Sequence, residues 1–161
     1  MEEFKSGSDA KSSQKKINVM LVEDHALTRV GLRTALRRTD DIAVIAEAGN
    51  GQEAIEMAKQ HRPDVILMDV QMPRLNGVQA TSEILRQWPK ARVIILTTFD
   101  RDDYVFQGVR AGAMGYLLKD APAERLIETI RRVYAGEPFI QPEIASRTLR
   151  ELMRPGSNNA G

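Results

Sequence analysis

Five short apolar runs punctuate the chain, and amphipathic stretches separate them. The runs are INVMLV (17–22), IAVIAEA (42–48), DVILMD (64–69), ARVIILTT (91–98) and MGYLL (114–118). They are short and β-branched, and three are almost continuously apolar, which suits strands covered on both faces of a parallel sheet. Helical spacing recurs between them: Leu27, Val30, Ala35 and Leu36 within 26–38, Ala54, Ile55 and Ala58 within 51–60, and Val78, Ala80, Ile84 and Leu85 within 77–87. It is thinnest in 101–110, through Tyr104, Val105 and Val109. It is fullest in 122–135, where Leu126, Ile127, Ile130, Val133 and Tyr134 follow a proline tolerated near a helix start, Pro122. Five strands alternating with five helices predict a doubly wound α/β domain with a five-stranded parallel sheet. Ligands of such sheets bind beyond the carboxyl ends of the strands.

Those ends carry the chemistry. Glu23 and Asp24 follow the first run, Asp69 closes the third, Thr97 and Thr98 close the fourth, and Lys119 follows the fifth. In a parallel sheet these positions lie side by side, so three carboxylates converge in one pocket. Such a pocket is costly unless a cation fills it. Oxygen ligands without a cysteine suit Mg²⁺, which takes one or two carboxylates together with phosphate oxygens and water. Lys119 at the same rim can pair with Asp69 or with an incoming phosphoryl group. A carboxylate nucleophile, a divalent cation, a lysine and a hydroxyl are the parts of a phosphoryl-transfer site that forms an acyl phosphate. Any one of these aspartates alone would be read as a helix cap or turn former, and the coincidence at successive strand ends carries the reading. His25 is expected to be a first-turn helix residue rather than a metal ligand.

Composition narrows the classes. The 161 residues are 42% hydrophobic and 28% charged, as expected of a globular domain. No run approaches the roughly 18 apolar residues of a membrane span, and the polar start is not a signal peptide, so the expected location is the cytoplasm. No cysteine is present, which excludes disulfides and thiolate chemistry. With 23 basic against 22 acidic residues, the chain shows no basic excess of the kind that marks nucleic-acid binding.

With these residues in place, the chain resembles the response-regulator receiver family. The stretches that carry the resemblance are VMLVEDHALTRVGL (19–32), PDVILMDVQMPRLNG (63–77), VIILTTFDRDDYV (93–105) and AGAMGYLLKDAPAERLIETIRRVYAGEPFI (111–140), so it covers about 17–140. Within the family the details look most like the NarL/FixJ (LuxR-type) transcriptional regulators. The resemblance implies a CheY-like, flavodoxin-like fold with Asp69 as the phosphorylated aspartate. It implies Glu23, Asp24, Asp69 and the backbone carbonyl of Gln71 as ligands of Mg²⁺ (or Mn²⁺). Thr97 becomes the switch hydroxyl, Tyr116 the aromatic partner that moves inward, and Lys119 the phosphoryl-binding lysine followed by Pro122. Asn76-Gly77, after Pro73, matches the turn before the third helix. The implied partners are a sensor histidine kinase, a second copy on phosphorylation, and DNA only through a C-terminal helix-turn-helix domain. On this reading the chain is a phosphoacceptor open to autodephosphorylation, not an enzyme.

The expected organisation is a disordered extension over 1–16, a receiver over 17–136 and a linker with one short helix over 137–161, the helix running through Ile144, Leu149 and Leu152. A receiver cut from a longer regulator is expected, with a natural single-domain receiver as the alternative. Two other readings compete. An aspartyl-phosphate phosphohydrolase would usually place a second aspartate two residues after the nucleophile, where Gln71 stands. A flavodoxin-like cofactor binder would need a phosphate loop where Glu23-Asp24 repel one. Arg29, Arg33 and Arg37 share a helix face, read as a solvated stripe. The thin 101–110 helix, near Gly108 and Gly112, is the candidate moving part.

Overall fold

The computed structural model describes residues 16–72, 75–98 and 102–153, with the side chains at 102–104, 106, 147, 148, 151 and 152 left out of the description. The expected extension before residue 16, and Pro73, lie outside the described residues. Six strands alternate with six helices: β1 Ile17–Val22, α1 Ala26–Arg37, β2 Ile42–Ala48, α2 Gly51–His61, β3 Val65–Asp69, α3 Gly77–Gln87, β4 Arg92–Thr97, α4 Asp102–Ala111, β5 Gly115–Leu118, α5 Ala123–Tyr134, β6 Phe139–Ile140 and α6 Pro142–Met153. The sheet order is β2-β1-β3-β4-β5-β6, and every pair is parallel.

The continuous apolar runs have a simple cause. Alternate residues of each strand feed two separate cores. Met20, Val22, Ile66, Met68, Val93 and Ile95 pack with α2, α3 and α4, while Val19, Leu21, Val65, Leu67, Ile94 and Leu96 pack with Leu36 of α1 and with Leu126, Ile130 and Val133 of α5. With both faces covered, the inner strands β1, β3, β4 and β5 are apolar at nearly every position.

The structure corrects one sequence expectation, the strand count, and refines two helices. The sheet has six strands rather than five, because Phe139–Ile140, inside the stretch read as linker, pairs with β5. Two residues that short leave no periodicity to read. The helix after it runs twelve residues and buries Ile144, while Leu149 stays exposed. Finally, Leu27 and Val30 fit a helical spacing yet are 85% and 43% exposed, and α1 turns Leu32 and Leu36 to the core instead. Hydrophobic spacing identifies a helix but not which of two apolar stripes faces inward.

Candidate functional site

The order in which strands are added reverses between β1 and β3: β2 lies on one side of β1, and β3 and all later strands lie on the other, all parallel. The carboxyl ends of these neighbouring strands therefore face one crevice, the usual binding place in open α/β sheets. β3 ends on Asp69, whose side chain is fully buried, and Glu23, immediately beyond β1, is equally buried. The two carboxylates share one cation: Lys119 Nζ lies 3.1 Å from Asp69 Oδ2, with a hydrogen bond, and 3.4 Å from Glu23 Oε1. The other oxygen of Asp69 accepts the Gln71 N–H at 3.1 Å. Lys119 arrives here because its own N–H donates to the Thr97 carbonyl at 2.8 Å, locking the β4 and β5 ends together.

One lysine does not neutralise this pocket. Burial, reinforced by the Glu23 charge, pushes the Asp69 carboxyl up to about 6 despite the Gln71 N–H and the Lys119 ammonium. Burial works against the Lys119 ammonium, yet Asp69 and Glu23 hold it above its ordinary value. Glu23 Oε1 and Asp24 Oδ1 are buried with no hydrogen-bond partner among the described residues. Buried polar atoms of native proteins are rarely left so, and here both belong to carboxylates facing one crevice.

Local structure holds the two loops in place. His25 precedes α1 and donates its N–H to Glu23 Oε2 at 3.1 Å, with its ring Nδ1 at 3.3 Å from the same oxygen and 3.4 Å from Asp24 Oδ1. It therefore stands one position before the first turn and beside both acids. The α3 end is closed by a capping box, in which Asn76 Oδ1 accepts from Gln79 N–H and Gln79 Oε1 accepts from Asn76 N–H. Gly77 follows because α3 presses on the end of β3. A Cβ there would collide with the Asp69 carbonyl oxygen and lie 2.8 Å from Val70 Cα. Gly77→Ala should cost about 1–3 kcal/mol through overpacking. A denaturant melt checks this, and an unchanged midpoint would contradict the contact.

Residues 19–131 match the family described as the response regulator receiver domain. The chain belongs to this family. The receiver is 47% identical over 139 residues to the uncharacterized transcriptional regulatory protein YxjL of Bacillus subtilis, covering 86% of this chain and 64% of that protein. It is 38% identical to the oxygen regulatory protein NreC of Staphylococcus carnosus, covering 90% of this chain and 65% of that protein. The chain thus spans less than two thirds of the length of these curated relatives. The crystal structure of a LuxR-family two-component response regulator from Aurantimonas superposes with a TM-score of 0.81 at 31% identity, covering 87% of this chain and all of that one. Membership favours the receiver reading over the phosphohydrolase and the flavodoxin-like cofactor binder.

The receiver brings Glu23, Asp69 and Lys119 into direct contact, with Asp24 and Gln71 at their sides. Thr97 is buried at the end of β4, beside β3, and its hydroxyl donates to the Thr98 carbonyl at 3.3 Å. Tyr116 lies with its ring already inside: its hydroxyl donates to the Ala113 carbonyl at 3.1 Å, and Gly108 of α4 leaves room for the ring edge. Burial pushes its phenol far above the ordinary value. Pro122 caps α5 from just outside the first turn.

Sequence reasoning missed two supports. The arginine stripe of α1 is not simply solvated. Arg29 and Arg33 both grip Glu47 of β2, at 3.1 and 2.6 Å, and Arg29 also donates to the Glu23 carbonyl at 2.6 Å. The four-residue repeat was visible, but its target lay on another strand. Gln141, a single glutamine before a proline, gave no signal at all.

Proposed function

We propose that Asp69 accepts a phosphoryl group from a sensor histidine kinase, and that the resulting change alters what the receiver binds. The observation supporting this most directly is the buried Asp69 carboxylate, hydrogen-bonded to Lys119 and lying beside two buried acidic oxygens that accept no hydrogen bond among the described residues. In the transfer, an Asp69 oxygen attacks phosphorus. The bond from phosphorus to the donor's histidine nitrogen breaks, and its electron pair stays on that ring. Lys119 turns from the carboxylate to an oxygen of the incoming group, and Thr97 offers its hydroxyl to another. Hydrolysis of the acyl phosphate returns the free carboxylate.

The oxygen-rich donor set fits a hard divalent cation, Mg²⁺ or Mn²⁺. Glu23, Asp24, Asp69 and the Gln71 carbonyl would hold it, and it would supply positive charge against the transferring group. Incubation with acetyl phosphate should give one phosphoryl adduct, on the peptide that contains Asp69, and chelation should abolish it. An adduct on another residue, or one indifferent to chelation, would defeat the assignment.

Arg29 supports the acidic pair from behind through the Glu23 carbonyl. Outer partners of this kind typically change metal affinity by 10–100-fold. The Mg²⁺ concentration giving half-maximal adduct formation is therefore expected to rise about tenfold in Arg29→Met, with little change in the saturated rate. A drop in the saturated rate alone would contradict a positioning role.

The relatives named as transcriptional regulatory proteins support reading the receiver as the input part of such a regulator. On this reading, contact with DNA belongs to the C-terminal part those longer relatives contain, and phosphorylation acts by promoting pairing of two copies. No helix among the described residues is long and apolar enough to cross a membrane.

A further inference from the structure

The C-terminal stretch is fastened to the strand that carries Lys119. β6 lies along β5 with Gly115 opposite Phe139 and Tyr116 opposite Ile140. Phe139 N–H donates to the Met114 carbonyl at 2.9 Å and Gln141 N–H to the Tyr116 carbonyl at 3.0 Å. The next rung of a parallel ladder would join Leu118 N–H to the Gln141 backbone carbonyl. That carbonyl is taken, because the chain turns into α6 at Pro142 and Gln141 O accepts from Ile144 N–H at 2.9 Å and from Ala145 N–H at 3.0 Å. The side chain supplies what the backbone cannot: Gln141 Oε1 accepts Leu118 N–H at 3.0 Å. For this the glutamine is 6% exposed, unusual for a residue type that mostly faces water.

One residue further along β5, the opposite edge serves the pocket. Lys119 N–H binds the Thr97 carbonyl, and Lys119 Nζ binds Asp69. α6 itself packs on α4 and β5, and Ile144 is buried in the core that holds Val105, Tyr116 and Leu118. The end of β5 is thus held from the pocket on one side and from the start of α6 on the other.

We propose that Gln141 is a positioning residue for Lys119, its side-chain carbonyl fixing the end of β5 so that the docking of α6 and the geometry of the phosphoryl pocket form one equilibrium. The coupling is reciprocal by linkage: whatever shifts Lys119 changes the hold on α6, and releasing α6 changes the pocket. The inference rests on the phosphoacceptor reading only for what the pocket binds.

Amide hydrogen exchange on the full chain tests it. Gln141→Met keeps the volume and removes the acceptor oxygen. Protection is expected to fall about tenfold at Leu118, Lys119 and across 142–153, the scale of one lost buried hydrogen bond. Gln141→Glu keeps an acceptor oxygen and should retain most of it. Ile144→Ala loosens α6 without touching that bond and should lower Lys119 protection as well. Adduct formation from acetyl phosphate at saturating Mg²⁺ should slow about fivefold in Gln141→Met, the small end of coupling energies. Loss of protection over 142–153 with Lys119 unchanged, in either Gln141→Met or Ile144→Ala, would overturn the proposal, as would unchanged protection of 142–153 in Gln141→Met. A wild-type chain that forms no adduct on Asp69 would sink the acceptor reading alone, because the Lys119 amide still decides the coupling.

Discussion

Asp69→Asn is expected to melt higher than the wild type at pH 7 without divalent cations, while accepting no phosphoryl group. The wild-type carboxyl is pushed from 3.8 up to about 6, first by burial and then by the Glu23 charge. The fold thus prefers the protonated form. The stability this contributes is fully present below about pH 4 and is lost as pH rises through 6. A displacement of about two pKa units corresponds to about 3 kcal/mol as an upper bound. Asparagine carries no charge at any pH, so the gap between variant and wild type should open from pH 4 to pH 7. On the proposed reading Mg²⁺ should narrow it again, because a divalent cation would stabilise the charged wild-type pocket more than a pocket that has lost one of its carboxylates. Melts that coincide at pH 7, or a gap independent of pH, would contradict this. Sites that trade stability for activity behave in this way.

Lys119→Met should act on stability in the opposite direction. It leaves two buried carboxylates without their shared cation, a change that typically costs about 3–5 kcal/mol. Part of the Lys119 side chain reaches solvent, which places the expected value near the lower end. On the proposed function it would also remove a positive charge from the transferring phosphoryl group, and the rate of adduct formation should fall on the order of 10²–10³-fold. Mg²⁺ should recover stability but not rate, since it cannot replace the lysine on its side of the group. In the double variant with Asp69→Asn most of the stability loss should vanish, because only Glu23 then lacks its partner. Phosphorylation of Lys119→Met at a near wild-type rate would remove Lys119 from the transfer.

These two variants differ in sign because the pocket is a balance between neighbours, and the two parts of that balance were unequally visible in the sequence. Glu23, Asp69 and Lys119 could each be placed at a strand end, since a carboxylate or lysine directly after an apolar run is a local feature. The pairing of Lys119 with Asp69 was open to expectation, but its second contact, with Glu23, was not, because it depends on how the side chains pack in the pocket. Arg29 shows the same divide: its repeat with Arg33 lies within one helix, while Glu47, which both grip, belongs to β2.

The elements themselves were legible for a physical reason. Strands buried on both faces must be apolar at nearly every position, and the helices that cover them must show an apolar stripe, so β1 to β5 and α1 to α5 are written in the local order of residues. Contacts between distant segments leave no such trace. The inward stripe of α1, the collision that reserves position 77 for glycine, the two-residue strand β6 and the Gln141 side chain standing in for a missing backbone rung each depend on an atom brought close by folding. Local periodicity settled β1 to β5, α1 to α5 and which residues stand at the strand ends; packing added β6 and settled which neighbours hold those residues in place.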